Sequence, residues 1–158
     1  MTDSMMRRAA NFSRCRQYRY ALWRQWGDAP ACALIIGLNP STADHRQDDP
    51  TIRRCIGFAR DWGYQRLCVA NLFAFRATYP DDLKAAADPV GPANDRWLRK
   101  LMAEADCVVA AWGNDGAWLD RSAAVRRLCD HWQVLRINRS GQPAHPLYLP
   151  ARLRPRRW

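Results

Sequence analysis

The side chains that could do chemistry in this sequence are two carboxamides and one imidazole, each placed where an apolar run ends. Asn39 follows the run "CALIIGL" (32–38), Asn71 lies in "RLCVANLF" (66–73), and His145 stands in a proline-rich loop. In open parallel sheets, ligands bind at the carboxyl ends of the strands, so we expect these groups to meet at one rim. Such groups recognise a planar heterocycle by hydrogen bonding. The sequence therefore predicts a small polar site built from several loops.

The remaining predicted site residues come from the same strand-end loops. They are Gly37, Leu38, Pro40, Ser41 and Thr42 in the first loop, Phe73 and Arg76 in the second, and Trp112 and Gly113 in the third. Each has a simpler structural explanation. Asn39 could bond its own turn, Arg76 could solvate a face, and Trp112-Gly113 could be packing followed by a turn. The prediction depends on the shared position of the loops and not on any single residue.

Alternating strand and helix signals position these loops. Apolar or alternating runs predict strands at residues 17–26, 32–38, 66–73, 106–113 and 133–137. Between them, Asp49 followed by Pro50 predicts a capped helix start. Further helices are predicted from near Pro92 and around Val125, Leu128, Cys129 and Trp132. This alternation predicts an α/β fold, a three-layer sandwich with a mostly parallel central sheet.

The length of 158 residues indicates one domain. We assign residues 16–150 to this α/β domain, residues 1–15 to a flexible basic arm, and residues 151–158 to a basic C-terminal tail.

Formal net charge is +10, which favours a polyanionic partner. We expect nucleic acid, DNA in preference to RNA, or a nucleotide. A bias of the genome toward arginine codons would give a similar excess. No apolar run reaches the length of a membrane span, so we expect no membrane partner. The start of the chain lacks an apolar signal region, which favours a cytoplasmic location.

Six cysteines occur without any C-x-x-C pair, which favours a reducing compartment and predicts no disulfide framework, zinc site or iron–sulfur cluster. His45 with Asp44, Asp48 and Asp49 could form a metal site, but such a cluster is more often a solvated acidic loop. Neither a P-loop nor a G-x-G-x-x-G fingerprint occurs. We therefore predict no metal and no cofactor.

Four motifs occur in the order found in a known enzyme superfamily. "GLNP" (37–40), "VANLFAFRATYP" (69–80), "AAWG" (110–113) and "HPLYLP" (145–150) resemble motifs of the uracil-DNA glycosylase superfamily. The whole chain also resembles an uncharacterised bacterial family, a domain of unknown function, marked by "GLNPSTAD", "DDPT", "NLFAFRAT" and "HPLY". The first resemblance implies a glycosylase-like fold and a role in DNA repair by base flipping.

The same resemblance implies residue roles. Asn39 would hold or polarise the water that attacks the sugar carbon, and Asn71 would pair with a flipped pyrimidine. His145 would donate to the oxygen on which charge gathers, and backbone amides near Ser41 and Thr42 would support the base or the water. Phe73 is one of several aromatic residues that could stack on the base. The implied function is hydrolysis of the N-glycosidic bond of a damaged or modified pyrimidine.

Two other classes stay open. A non-catalytic or nucleotide-level pocket would bind a free nucleotide or an RNA base. Ser41, where the superfamily motif has glycine, and Leu147, where it has serine, favour this class. A scaffold domain would instead leave Asn39, Asn71 and His145 far apart.

Overall fold

The computed structural model describes residues 5–158, in which strands and helices alternate along most of the chain. The strands are β1 (Arg7–Phe12), β2 (Arg19–Gln25), β3 (Ala33–Gly37), β4 (Arg66–Asn71), β5 (Cys107–Ala110), β6 (Trp132–Val134) and β7 (Arg156–Arg157). The α-helices are α1 (Pro50–Asp61), α2 (Pro80–Ala85), α3 (Asn94–Glu104) and α4 (Arg121–Arg126). Two 3-10 helices cover Asn114–Asp120 and Pro146–Tyr148.

The seven strands form one sheet in the order β1-β2-β4-β3-β5-β6-β7. The central strands β4, β3, β5 and β6 are parallel, whereas β1 and β2 at one side and β7 at the other are antiparallel to their neighbours. The parallel pairing that the sequence predicted is found in the central strands, and the sheet as a whole is mixed. β1 and β2 are joined by only a short loop, and parallel pairing needs a much longer crossover.

Each face of the sheet has its own apolar core, so the fold has three layers. Ile35, Val69 and Val109 point to the face covered by α1. Their neighbours Leu34 and Val108 point to the other face, where they pack with side chains from α2, α3 and α4. Strands buried on both faces read as continuous apolar runs, which is why the sequence displayed them clearly.

Part of the predicted N-terminal arm belongs to the sheet. Residues 1–4 lie outside the described residues, but Arg7–Phe12 pair with β2 along their whole length. The indole of Trp23 also donates a hydrogen bond to Asn11 Oδ1 at 2.9 Å. The expectation of a flexible arm over residues 1–15 is corrected for this segment. Its first four residues are two arginines and two alanines, so it resembled an unstructured arm. It nevertheless completes the backbone hydrogen bonds of an otherwise open edge.

The C-terminal tail is also part of the structure. Arg156–Arg157 form β7 against β6, and the ring of Trp158 contacts those of Trp112 and Trp132 at centroid distances of 5.8 and 6.3 Å. The segment is basic, as expected, but it is not a free tail. Contact of a large aromatic side chain with the core offsets the entropy lost on ordering the segment.

The helices follow the sequence signals with shifted ends. α1 begins at Pro50, and Asp49 caps it by accepting the Ile52 N–H. α4 ends at Arg126, so Leu128 and Cys129 lie beyond the helix. No helix within residues 5–158 combines the length and apolar character needed to cross a membrane.

Candidate functional site

A cleft of about 750 Å³ opens at the carboxyl ends of β3, β4 and β5. It is large enough for a nucleobase with its sugar. Loops after all three strands and the segment around His145 contribute to it. Its lining includes Arg19, Gly37, Leu38, Asn39, Ser41, Asp49, Cys55, Asn71, Trp112, Gly113, Asn114, Asp115, His145, Leu147 and Tyr148.

Asn39 is held by its amide nitrogen. Nδ2 donates to the carbonyl of Pro40 at 3.0 Å and to that of Ala77 at 2.8 Å. Both Nδ2 hydrogens are used in this way, so the carbonyl oxygen Oδ1 is what Asn39 offers to the cleft. An open amide oxygen can accept a hydrogen bond from a water molecule or from a ligand N–H.

Asn71, at the end of β4, has the opposite arrangement because of Arg19. Arg19 Nη2 donates to Asn71 Oδ1 at 3.3 Å, and Arg19 Nη1 donates to the Ala43 carbonyl at 3.0 Å. A guanidinium only donates, so the atom facing it must be the amide oxygen. Nδ2 of Asn71 is therefore left as a donor. A Cβ at Gly37 would lie 3.1 Å from that nitrogen, so glycine keeps the space beside the amide open.

Arg19 is almost fully buried, at 2% exposure. Burial lowers the pKa of its guanidinium from 12.5 to about 10, while Asp49 opposes the shift. Arg19 is therefore still protonated at neutral pH. This keeps the orientation of the Asn71 amide fixed under physiological conditions.

The backbone at the end of β4 is fixed by two further buried side chains. Nδ2 of Asn94, in α3, donates to the carbonyls of Asn71 and Leu72 at 3.0 Å each. Arg121 Nε in α4 donates to the same Leu72 carbonyl at 2.8 Å. The helices on the far face of the sheet therefore hold the strand end that presents Asn71.

His145 is half-buried, and its ring nitrogens have distinct roles. Nδ1 accepts the backbone N–H of Leu147 at 3.2 Å, so in the neutral ring the proton lies on Nε2. Burial lowers the pKa of His145 below its ordinary value of 6.5, and Asp49 opposes this shift. At neutral pH the imidazole is therefore an uncharged Nε2–H donor.

Asp49, which the sequence suggested as a helix cap or as one acid of a possible metal site, is a carboxylate in the cleft wall. It is 9% exposed, and its two oxygens accept the N–H groups of Ile52 at 2.9 Å and Ala43 at 3.3 Å. Each carboxylate oxygen has a further lone pair. Asp49 can therefore cap α1 and also act on a ligand. The sequence "DDPT" contains two adjacent acids, whereas one acid is enough to cap a helix. The pair was therefore a signal that an acid here could have a second role.

The loop before Asp49 is ordered by a buried arginine. Arg24 is fully buried, pairs with Asp48 at 2.7 Å, and donates to the carbonyls of Asp44 and Gln47. Asp44 Oδ1 accepts two backbone N–H groups of its own loop, which lower the pKa of that carboxyl. Asp44 and Asp48 therefore have structural partners. Within residues 5–158, no group of three or more His, Cys, Asp or Glu side chains could hold a metal ion.

Trp112 and Gly113 form the wall after β5. Trp112 is 1% exposed, and its indole N–H donates to Gln142 Oε1 at 2.9 Å. Gly113 has φ of 77°, which favours glycine, and its N–H donates to the Pro143 carbonyl at 2.8 Å. These bonds attach the loop carrying His145 to the end of β5.

Four predicted site residues do not line the cleft. Pro40 is buried beneath it, Thr42 is exposed outside it, and Arg76 stacks on Phe12 at 4.7 Å. Phe73 is fully buried in the opposite core, with its ring centroid 5.0 Å from that of Trp118. The aromatic residues that do line the cleft are Trp112 and Tyr148, and Tyr148 is 88% exposed.

Cys55 also lines the cleft, but burial raises the pKa of its thiol to about 12. It is therefore a neutral apolar group and not a nucleophile. The cleft instead offers the amide acceptor of Asn39, the N–H donors of Asn71 and His145, and the carboxylates of Asp49 and Asp115. This set suits the recognition of a polar heterocycle and the stabilisation of charge on it.

A family model described as a protein of unknown function (DUF1643) matches residues 19–147. No curated protein and no solved structure matches the chain. The glycosylase-like part of the fold prediction therefore stays a prediction. The matched segment begins at Arg19 and contains every cleft-lining residue except Tyr148. The chain belongs to this family of unknown function.

Proposed function

We propose that the cleft binds a nucleobase and that the protein is a DNA-glycosylase-like hydrolase, which cleaves the N-glycosidic bond of a damaged or modified pyrimidine. One observation carries the proposal. An open amide oxygen on Asn39, an open amide N–H on Asn71 and a neutral imidazole N–H on His145 line the same cleft.

The reaction requires groups of these types. The oxygen of a water molecule bonds to the sugar carbon C1′ while the bond from C1′ to the base nitrogen breaks. The electron pair of that bond leaves with the base, and the attacking water loses a proton. Positive charge develops on the sugar and negative charge on the base. Donors fixed in advance at the base lower the barrier, and one such donor contributes about 3 kcal/mol.

The roles follow from the open atoms. Asn39 Oδ1 accepts a hydrogen bond from the attacking water and orients it. Asn71 Nδ2 and His145 Nε2 donate to the oxygens of the departing base. Asp49 has a spare lone pair on each oxygen, stabilises the positive sugar and takes the proton of the water.

A non-catalytic pocket that binds a free nucleotide or an RNA base is the second candidate. Leu147 favours it. Leu147 lines the cleft directly after His145-Pro146, where a serine hydroxyl would be expected to contact a DNA phosphate. In this candidate Asn39 and Asn71 bind the base, and no water is activated.

Strand cleavage tests the proposal. Oligonucleotides containing uracil, a thymine mismatch or a modified pyrimidine are incubated with purified protein and then treated with alkali, which breaks the strand at an abasic site. We expect scission by the wild-type protein and by Asn11→Ala, whose carboxamide lies on β1. Asn39→Ala should lose it. The enzymatic proposal would be ruled out if the wild-type protein gave no more scission than Asn39→Ala on every substrate.

Ligand competition separates the two candidates. The glycosylase-like enzyme should bind abasic-site DNA more tightly than a mononucleotide. In the second candidate, a mononucleotide should bind tightly and duplex DNA should fail to displace it.

A further inference from the structure

Positive charge is concentrated in the last part of the chain. Residues 121–158 contain nine arginines and a single acidic residue, Asp130, so they carry +8 of the total +10. All of these arginines except Arg121 are exposed. The exposed ones are Arg126, Arg127, Arg136, Arg139, Arg152, Arg154, Arg156 and Arg157, which we call the arginine edge.

Arg126, Arg136, Arg156 and Arg157 of the arginine edge lie at the β6–β7 side of the sheet. Arg156 and Arg157 form β7. The guanidinium of Arg126, at the end of α4, lies 3.5 Å from the ring centroid of Trp158, directly after β7. The carbonyl of Arg136, two residues beyond β6, accepts the Ala144 N–H at 2.8 Å. These contacts link residues from three separate segments at one side of the molecule. The segment that carries Arg152 and Arg154 packs beside α1, where the Leu153 carbonyl accepts the indole N–H of Trp62.

The same edge reaches the rim of the cleft. Asn138 Nδ2 and Ser140 Oγ donate to Asn114 Oδ1 at 2.9 and 2.6 Å. Asn114 lines the cleft, and Arg139 stands exposed between the two donors. Arg152 and Arg154 follow the cleft-lining Tyr148 by a few residues. Along the chain, exposed arginines therefore precede and follow the segment that carries His145.

The cleft itself is a poor phosphate site. Its one arginine, Arg19, is buried and already donates to Asn71 and Ala43. Asp49 and Asp115 add negative charge to the lining, and His145 is neutral at physiological pH. Among the described residues that line the cleft, no cation is free to bind a phosphate. A ligand that places a base in the cleft must put its phosphates elsewhere.

We infer that the arginine edge binds the phosphate backbone of a nucleic-acid strand whose base enters the cleft. The inference rests on the proposed function and makes the partner a polymer, not a mononucleotide. Among the described residues, none of the eight arginines is in an ion pair, unlike Arg7, Arg24 and Arg121. Charged side chains on an edge strand can serve to prevent pairing with other chains. That role explains only Arg156 and Arg157, because the other six arginines lie outside strands.

The test compares two charge-matched double variants. Arg136→Gln with Arg139→Gln removes two charges from the arginine edge beside the cleft. Arg96→Gln with Arg99→Gln removes two charges from the exposed side of α3. Affinity for a labelled oligonucleotide, single-stranded and duplex, is measured over a series of salt concentrations.

We expect the first variant to bind more weakly and to have a salt dependence of log K that is less steep by about 1.5, because each phosphate contact contributes about 0.7–0.9. The α3 variant should match the wild type. Equal effects of the two variants would overturn the inference. So would tighter binding to phosphatidylserine vesicles than to either oligonucleotide.

A nucleoside, which lacks phosphate, separates this inference from the proposed function. If the wild-type protein binds the nucleoside but no oligonucleotide, the phosphate-binding role of the arginine edge is overturned and the proposed base site is supported. Salt-dependent oligonucleotide binding with no nucleoside binding would support the edge and overturn the base site.

Discussion

The orientation of one amide decides what Asn71 can recognise. An isolated carboxamide presents either its oxygen or its nitrogen, since rotation about the last bond exchanges them. Arg19 removes this freedom by donating to Oδ1 from inside the fold. Asn71 therefore presents Nδ2 to the cleft, and we expect a preference for ligands that place a hydrogen-bond acceptor beside this nitrogen.

Asn71→Asp tests this orientation with little change in shape. The aspartate still accepts from Arg19, but it presents an oxygen where Nδ2 stood. We expect nucleoside affinity to fall at least tenfold, because about 1.4 kcal/mol or more is lost when a donor becomes an acceptor. Calorimetric titration measures it, with Asn11→Asp as the control. An unchanged dissociation constant would contradict the assignment of Nδ2 as the recognising atom.

The lowered pKa of His145 predicts a stability difference with pH. The unfolded chain binds a proton near the ordinary value of 6.5, whereas the folded protein takes it up only at lower pH. The free energy of unfolding should therefore be highest above pH 6.5 and decrease as pH falls toward the folded-state pKa. Denaturant unfolding at several pH values measures this.

Replacing the histidine identifies the source of that decrease. His145→Gln should lose the component between pH 6.5 and the lowered pKa, while His131→Gln, at an exposed position, should keep it. The same decrease in all three proteins would assign it to other groups.

At the scale of elements, α1 begins at a residue that has two roles. Asp49 caps the helix through Ile52 and Ala43, and it lines the cleft. Asparagine caps nearly as well as aspartate, but alanine does not. Substitution can therefore separate the cap from the charge.

Asp49→Asn keeps an acceptor for the Ile52 N–H but turns an amide N–H toward that of Ala43, so it should lower the free energy of unfolding by about 1 kcal/mol. Asp49→Ala loses both acceptors and should lower it by more. Both variants should lose strand scission, because neither has the charge that stabilises the sugar. Urea unfolding and the cleavage assay measure the two effects. Full scission by Asp49→Asn would remove Asp49 from the proposed reaction.

The sequence predicted the elements that have strong local signals. β3 and β4 are continuous apolar runs, and Asp49-Pro50 marks the start of α1, so each was readable. β1 was missed because Arg7 and Arg8 beside two alanines give no apolar alternation. α4 was predicted too long, since Leu128 and Cys129 keep a helical spacing after the helix has ended. Whether such segments form strand, helix or turn depends on the residues that they contact in the folded protein.

The candidate site was predictable only in part for a related reason. Asn39, Asn71 and His145 stood out as polar residues at loop positions beside apolar runs. Arg19 and Arg24 lie inside β2, where an arginine resembles any solvated residue of an edge strand. In the structure both bind carbonyls of the loop 43–47, a long-range contact that the sequence did not reveal. Phe73 was misplaced because its side of the sheet depends on where β4 ends.

At the scale of the whole molecule, the C-terminal segment joins the arginine edge to the cleft wall. Trp158 contacts Trp112 and Trp132 and lies beneath Arg126. We expect Trp158→Ala to lower the free energy of unfolding by about 2 kcal/mol, because a half-buried indole leaves the core. Arg157→Gln, at an exposed position beside it, should change it by less than about 0.5 kcal/mol.

Urea unfolding of the two variants makes this comparison. Equal stabilities of Trp158→Ala and the wild-type protein would mean that the indole contributes nothing by packing, and β7 would then depend on backbone hydrogen bonds alone.

The three indoles of Trp112, Trp132 and Trp158 lie 5.6 to 6.3 Å apart at steep mutual angles. Transition dipoles held at such spacing and tilt couple to one another, and coupled chromophores give a paired positive and negative band in circular dichroism. The molecule thus contains its own optical reporter. Departure of the chain end from its place beside the cleft would remove the contribution of Trp158 and leave that of the Trp112–Trp132 pair, a change that needs no label.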